Sequence, residues 1–173
     1  MRFDIEQSIE VLSATPGTLR SLLGCLSADW TDAAGSEGEW RPFDVIGHLI
    51  HGEETDWIPR ARLIFEQGAE RTFVPFDRFA QFELSEGKTL GELLDEFAKR
   101  RAENLETLRS WNLTEEHLDL RGMHPELGEV ALRQLLATWV VHDLNHILQI
   151  VTVMAARYGD DVGPWREYLS ILK

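Results

Sequence analysis

The stretch Trp139-Val-Val-His-Asp-Leu-Asn-His-Ile-Leu-Gln149 sets two imidazoles, His142 and His146, four residues apart in a strongly apolar segment. At 3.6 residues per turn the two rings differ by only about 40° around a helix, so both can reach one cation from a single face. Gln149 falls on that face as well. The surrounding run, about Val130 to Tyr158, is apolar nearly all round, which predicts a helix that its neighbours must cover on most sides. His142, Asp143, Asn145, His146 and Gln149 interrupt it, so no apolar run reaches the roughly 18 residues of a membrane span. Two histidines seldom hold a catalytic metal alone, and the obvious donor of a third lies far away in sequence, in the His48-Leu-Ile-His51 cluster.

Working outward, three more helices are predicted. The first covers roughly residues 3 to 27, with Ile5, Ile9, Leu12, Leu19, Leu22, Leu23 and Leu26 at helical spacing. Thr15-Pro16-Gly17 interrupts it and reads as a kink or short break, with Thr15 capping a renewed helix. Residues 32–39 read as a loop. Pro42 opens the second helix, which runs to about Gln67 with a bend expected at Pro59. Between Gly68 and Gly87 periodicity fails, and Phe73-Val-Pro-Phe-Asp-Arg-Phe reads as an ordered irregular connection with aromatic anchors, a kind of segment that often serves function. Thr89 and Glu92 form a capping-box signature for the third helix, whose buried stripe is Leu90, Leu93, Leu94, Phe97, Leu105 and Leu108 and whose end falls near Trp111. Thr114-Glu-Glu starts a short extra turn, Gly122 to Gly128 is a loop, and Trp165 and Tyr168 are expected to pin a short C-terminal helix. The class predicted is all-α: one domain over residues 1–173, a four-helix bundle whose interior suits a metal site.

Composition narrows the partners. Hydrophobic residues make up 43% and charged residues 27% of the 173, enough to bury a core without disulfides or a structural metal. The net charge of −13, from 17 Lys plus Arg against 30 Asp plus Glu, repels polyphosphates, so nucleic acid is not expected as a partner. The single Cys25 forms no internal disulfide, and Arg2, Asp4 and Glu6 interrupt any apolar leader, which predicts a cytoplasmic protein not bound to membrane. The apolar faces of the fourth helix exceed what one small bundle buries, so a homodimer is expected.

Three pieces carry a family resemblance: Trp40-Arg-Pro-Phe-Asp-Val-Ile-Gly-His48-Leu49, His124-Pro-Glu-Leu-Gly128, and His142-Asp-Leu-Asn-His146-Ile-Leu-Gln149, with a Gly163-Pro164-Trp165 tail. Across nearly its whole length the sequence resembles the DinB-like superfamily of metalloenzymes. The resemblance implies a DinB/YfiT-like four-helix bundle with one long crossover and a divalent metal, zinc or nickel, held by His48, His142 and His146. It also implies a small-molecule substrate and, from members that are thiol-dependent S-transferases, a low-molecular-weight thiol as co-substrate. Ala131 stands where relatives often carry a capping Thr, which leaves the start of the fourth helix open.

The residues themselves support a metal without selecting a substrate. Imidazole is a borderline ligand that suits zinc, nickel, copper or iron. Three such ligands leave an open position, where water or a thiol is activated; these are the hydrolase and transferase readings. The bland alternative is a pair of hydrogen-bonded core histidines. Periodicity leaves His48 and His51 both open, since three residues turn a side chain only about 60°, and the family motif is what favours His48. Asp143, Asn145 and Gln149 are candidates to orient an imidazole through its outer nitrogen. Asp143, in the general-base position of a zincin-like His-Asp-Leu-Asn-His, and Glu54, with its neighbour Glu53, are the candidate catalytic bases. Cys25 reads as a small core residue, and His117 and His124 as structural or rim residues. Two further classes stay open: a non-catalytic metal-binding or stress-response bundle, and a purely structural helical protein.

Overall fold

The computed structural model describes residues 3–33 and 38–173. Residues 34–37 of the loop expected at 32–39 lie outside that range. Eight helices are found among the described residues: α1 (Ile5–Leu23), α2 (Ala28–Thr31), α3 (Pro42–Thr55), α4 (Trp57–Gln67), α5 (Ala80–Leu84), α6 (Leu90–Ser110), α7 (Glu115–Leu118) and α8 (Leu132–Ala156). A hairpin, β1 (Arg121–His124) and β2 (Gly128–Ala131), precedes α8.

Local signals start most of the helices. Asp4 accepts the Gln7 amide at 3.0 Å to cap α1. Thr89 and Glu92 close their capping box on α6 at 2.7 and 3.3 Å. At α8 the Ala131 side chain has no cap to offer, and Gln134 Oε1 accepts the Ala131 N–H at 2.8 Å instead.

Pro16 does not break α1. The helix runs through it, and Thr15 is no cap: its hydroxyl donates back to the Val11 carbonyl at 3.1 Å. Pro16 has no N–H for the carbonyl four residues earlier, that of Leu12, and Arg101 Nη1 on α6 donates to this oxygen at 2.8 Å. The expected second helix is likewise two helices, α3 and α4, parted at Asp56. Pro59 can neither bond to nor pack past the Thr55 carbonyl, so the chain turns just before it.

Helix α1 packs on α6 and α8, and α3 closes the ring against the same two. Two apolar clusters fill the bundle. One gathers Ile9, Leu12, Trp57, Leu105, Leu136 and Trp139; the other gathers Leu19, Val45, Leu49, Leu94, Phe97 and Ile150. Chain direction follows from the order in which each helix meets them: α1 and α8 run one way, α3 and α6 the other. Because α3 and α6 are parallel, residues 68–89 must travel back along the bundle as a long crossover. Between the clusters lies a polar layer, to which α3 gives His48 and Glu53, α6 gives Arg101, and α8 gives Asp143 and His146, all buried.

Several local expectations are corrected. The crossover contains α5, which the pattern does not reveal. Residues 122–128 belong to the hairpin rather than a loop, with Gly122 opposite Val130 and Gly128 closing the turn at φ +75°. A side chain at Gly122 would meet Ile64 Cγ1 at 2.5 Å, so only glycine lets this strand lie so close to α4. The C-terminal segment forms 3-10 turns at Gly163–Tyr168 and Ser170–Leu172. Trp165 and Tyr168 do not pin it, being 71% and 85% exposed; Arg166 does, donating to the Gly159 and Leu172 carbonyls at 3.0 Å each. Cys25 lies past the end of α1 and is exposed, not a core residue. No helix among the described residues is long and apolar enough to cross a membrane.

Candidate metal centre

His48 leaves the middle of α3, and His142 and His146 leave successive turns of α8. Their ligand nitrogens lie within 4.8 Å of one another. His142 Nε2 is 3.1 Å from His48 Nε2 and 3.1 Å from His146 Nε2. One ring nitrogen carries one lone pair or one proton, so it cannot bond well to both neighbours at once. A cation bound at about 2.0–2.1 Å by three tetrahedral nitrogens would set them roughly 3.3 Å apart, so the cluster fits a metal site.

The proton states suit that use. Burial is the first cause that lowers His48 from 6.5 to about 3, with smaller contributions from His146, His51 and Arg78. Burial likewise lowers His142 to about 2, helped by His146, His48 and Arg101. His146 is lowered by burial too, against the opposing pull of Gln149 and Asp143. All three rings are therefore neutral near pH 7 and able to ligate. With Nε2 facing the common point, the proton of each ring falls on Nδ1. His146 Nδ1 meets Gln149 Oε1 at 2.8 Å, which fixes that orientation, whereas the buried Nδ1 atoms of His48 and His142 have no hydrogen-bond partner among the described residues.

Aromatic rings hold the histidines. Trp40 lies parallel to His146 within 12° and 4.8 Å from His48, Trp57 meets His142 edge-on at 5.0 Å, and Phe76 meets His48 at 5.3 Å. His51, one turn along α3, stays outside the cluster and packs against Phe76 at 4.8 Å. The three nitrogens open onto a cavity of about 510 Å³, lined by Trp40, Trp57, Phe73, Phe76, Leu135 and Thr138 among others. That size suits a small molecule.

The candidate bases point elsewhere. Both oxygens of Asp143 accept from Arg101, at 2.6 and 3.0 Å, and none of its hydrogen bonds reaches a histidine. Glu54 pairs with Arg100 and does not line the cavity. Glu53 is enclosed, its Oε1 accepting from Arg101 and Trp139 Nε1 and its Oε2 from Asn104. Asn145 lines the cavity without a hydrogen bond to any histidine. His117 caps α7 through Nδ1, and His124 both lines the cavity and accepts the Glu126 and Leu127 amides that shape the hairpin turn.

Sequence reasoning missed Arg101, whose only signal is its place in the stripe Leu94, Phe97, Arg101, Leu105, Leu108. It also missed Asp56 and Arg60 on the cavity wall. Burial raises the Asp56 carboxyl despite its ion pair with Arg60, whose Nε lies 2.5 Å from Oδ1.

Comparison with known proteins agrees with this architecture. The family model of the DinB superfamily matches residues 12–150. Among solved structures, YfiT from Bacillus subtilis, described as a probable metal-dependent hydrolase with an unusual four-helix bundle topology, superposes with a TM-score of 0.74 at 23% identity, covering 89% of this chain and 87% of its own. No curated protein matches the sequence.

Proposed function

The chain belongs to the DinB superfamily, and on that premise we propose that it is a divalent-metal-dependent enzyme acting on a small molecule, with His48, His142 and His146 as ligands and zinc or nickel as the ion. The observation that carries this reading is the convergence of three neutral imidazoles on the wall of a roughly 510 Å³ cavity rather than in a closed core. Three protein ligands leave room for a fourth partner, which favours an enzyme over a storage or purely structural role. A bound ion supplies Lewis acidity, which activates water or a low-molecular-weight thiol for attack on an electrophile. The residues of the chain do the rest. Gln149 orients His146, Trp40 and Trp57 exclude bulk water from the rings, and the low proton affinity of His48 and His142 keeps both available.

Hydrolysis and thiol-dependent S-transfer both fit this chemistry, and the description of YfiT as a probable metal-dependent hydrolase supports the former. Elemental analysis of protein purified without a metal-binding tag tests the reading, with about one divalent ion per chain expected. The loaded protein is then assayed against ester, lactone and amide panels, and against electrophiles with a low-molecular-weight thiol. Absence of metal after loading would overturn the proposal.

The unit proposed is a homodimer joined along α8. Ala137, Val141, Leu144, Leu148, Val151 and Ala155 follow the alternating four-and-three spacing of a helix-pairing seam, and Val141, Leu144 and Leu148 are 62%, 51% and 58% exposed.

A further inference from the structure

The crossover brings one charged residue, itself exposed, to the lining of the cavity. Phe73 is buried, its N–H donating to the Met123 carbonyl at 2.9 Å, and Phe76 packs on His48 and His51. Asp77 Oδ1 then accepts the Phe79 amide at 2.9 Å and turns the chain into α5. Between these anchors stands Arg78, which lines the cavity close enough for its charge to act on His48.

The charges facing the cavity do not cancel. Asp56 and Arg60 neutralise each other within the wall, and Arg60 Nη2 is further engaged by the Val74 carbonyl at 3.2 Å. His124 Nδ1 is taken up by the Glu126 and Leu127 amides that it accepts. Arg78 has no carboxylate and no hydrogen-bond acceptor among the described residues, although the chain holds 30 acids against 17 bases. Most other arginines, such as Arg20, Arg41, Arg100, Arg133 and Arg157, each have an acid within reach. A guanidinium left open beside an aromatic-walled cavity matches a planar carboxylate, which it can hold through two parallel hydrogen bonds.

We propose that Arg78 is the anion-binding residue of this cavity and selects small molecules that carry a carboxylate on an apolar body of aromatic size. The body lies against Trp40, Trp57 and Phe76, and the carboxylate pairs with Arg78. The inference rests on reading the cavity as the substrate site, but the Arg78 contact itself needs no metal.

The test uses phenylacetate and its neutral isostere phenylacetamide, titrated calorimetrically at low ionic strength into wild type, Arg78→Gln and Arg78→Lys, each metal-free and zinc-loaded. Wild type should prefer the carboxylate about tenfold in both forms, Arg78→Gln should lose the preference, and Arg78→Lys should keep part of it. Equal binding of the two probes by metal-free wild type would overturn the proposal, as would a preference that survives Arg78→Gln. A preference seen only with zinc and untouched by Arg78→Gln would make the anion a metal ligand, overturning the role of Arg78 while leaving the metal reading intact. An Arg78-dependent preference in a protein that takes up no metal would sustain this proposal and sink the other.

Discussion

Glu53 and Asp143 take adjacent edges of one buried guanidinium, that of Arg101: Glu53 Oε1 accepts from Nε and Nη2 at 3.0 and 2.8 Å, and Asp143 accepts from Nη1 and Nη2 at 2.6 and 3.0 Å. Glu53 follows His48 on α3 and Asp143 adjoins His142 on α8, so a single side chain of α6 ties together the two helices that bear the imidazoles. Desolvation raises the Glu53 carboxyl even against the pull of Arg101, so this acid depends on its partners to stay charged.

Removing Arg101 should therefore be costly. Arg101→Met leaves two buried carboxylates without their cation and should destabilise the fold by about 3–5 kcal/mol. Urea denaturation followed by circular dichroism measures it. A loss under about 1 kcal/mol would show that the network adds little that water cannot replace.

Ligand removal should separate function from folding. His146→Ala should abolish metal uptake and any activity while leaving the helical signal nearly intact, because the two apolar clusters remain whole. Gln149→Ala, which frees His146 Nδ1 without touching the ligand nitrogen, should weaken metal binding about 10–100-fold. Full metal content in His146→Ala, by elemental analysis, would contradict its role.

The pH dependence has a definite sign. His48 and His142 have folded values of about 3 and about 2, below the unfolded 6.5, so the unfolded chain binds more protons between those limits. Stability is then fully present above about pH 6.5 and declines as pH falls toward the folded values, by up to about 1.4 kcal/mol per pH unit for each histidine. Bound metal strengthens the same trend, since only neutral imidazole ligates. Glu53 and Asp56, raised by burial, act in the opposite sense. Comparing metal-free wild type with His142→Gln isolates the histidine part: the wild-type midpoint in urea should fall faster between pH 6.5 and 5.

Much of this molecule is legible in sequence where the signal is local. The Asp4 cap, the Thr89–Glu92 box and the stripe from Leu90 to Leu108 depend on residues within a turn or two of one another. The His142–His146 pair is legible for the same reason. The choice of His48 over His51 is not, because both face inward from α3 and only the position of α8 decides which ring meets the pair. The hairpin escapes detection because Arg-Gly-Met-His and Gly-Glu-Val-Ala lack a clean apolar alternation, and β1 is held by partners distant in sequence as well as by β2: the Phe73 N–H donates to its Met123 carbonyl, and Gly122 leaves room for Ile64 and Phe73. Asp143 and Glu54 look like bases by proximity in sequence, yet arginines from α6 turn both away from the histidines.

The dimer proposed above would be joined along the apolar stripe of α8. Light scattering at micromolar concentration should give twice the 19.8 kDa chain mass, and Leu144→Lys should return it to a monomer without loss of helicity. A monomeric wild type would remove the idea.

Apolar stripes of Leu and Ile repeat every turn, so by themselves they tolerate a helix sliding along its neighbour by one turn, about 5.4 Å. Pro16 removes that freedom. By leaving the Leu12 carbonyl without an amide donor, it marks one level of α1 as the place where Arg101 must dock, so a slip in either direction would strand both the carbonyl and part of the guanidinium. A residue that reads as a flaw in a helix thus acts as an alignment pin. It fixes the height at which α1 meets α6, and through Glu53 and Asp143 the heights at which His48 and His142 face each other.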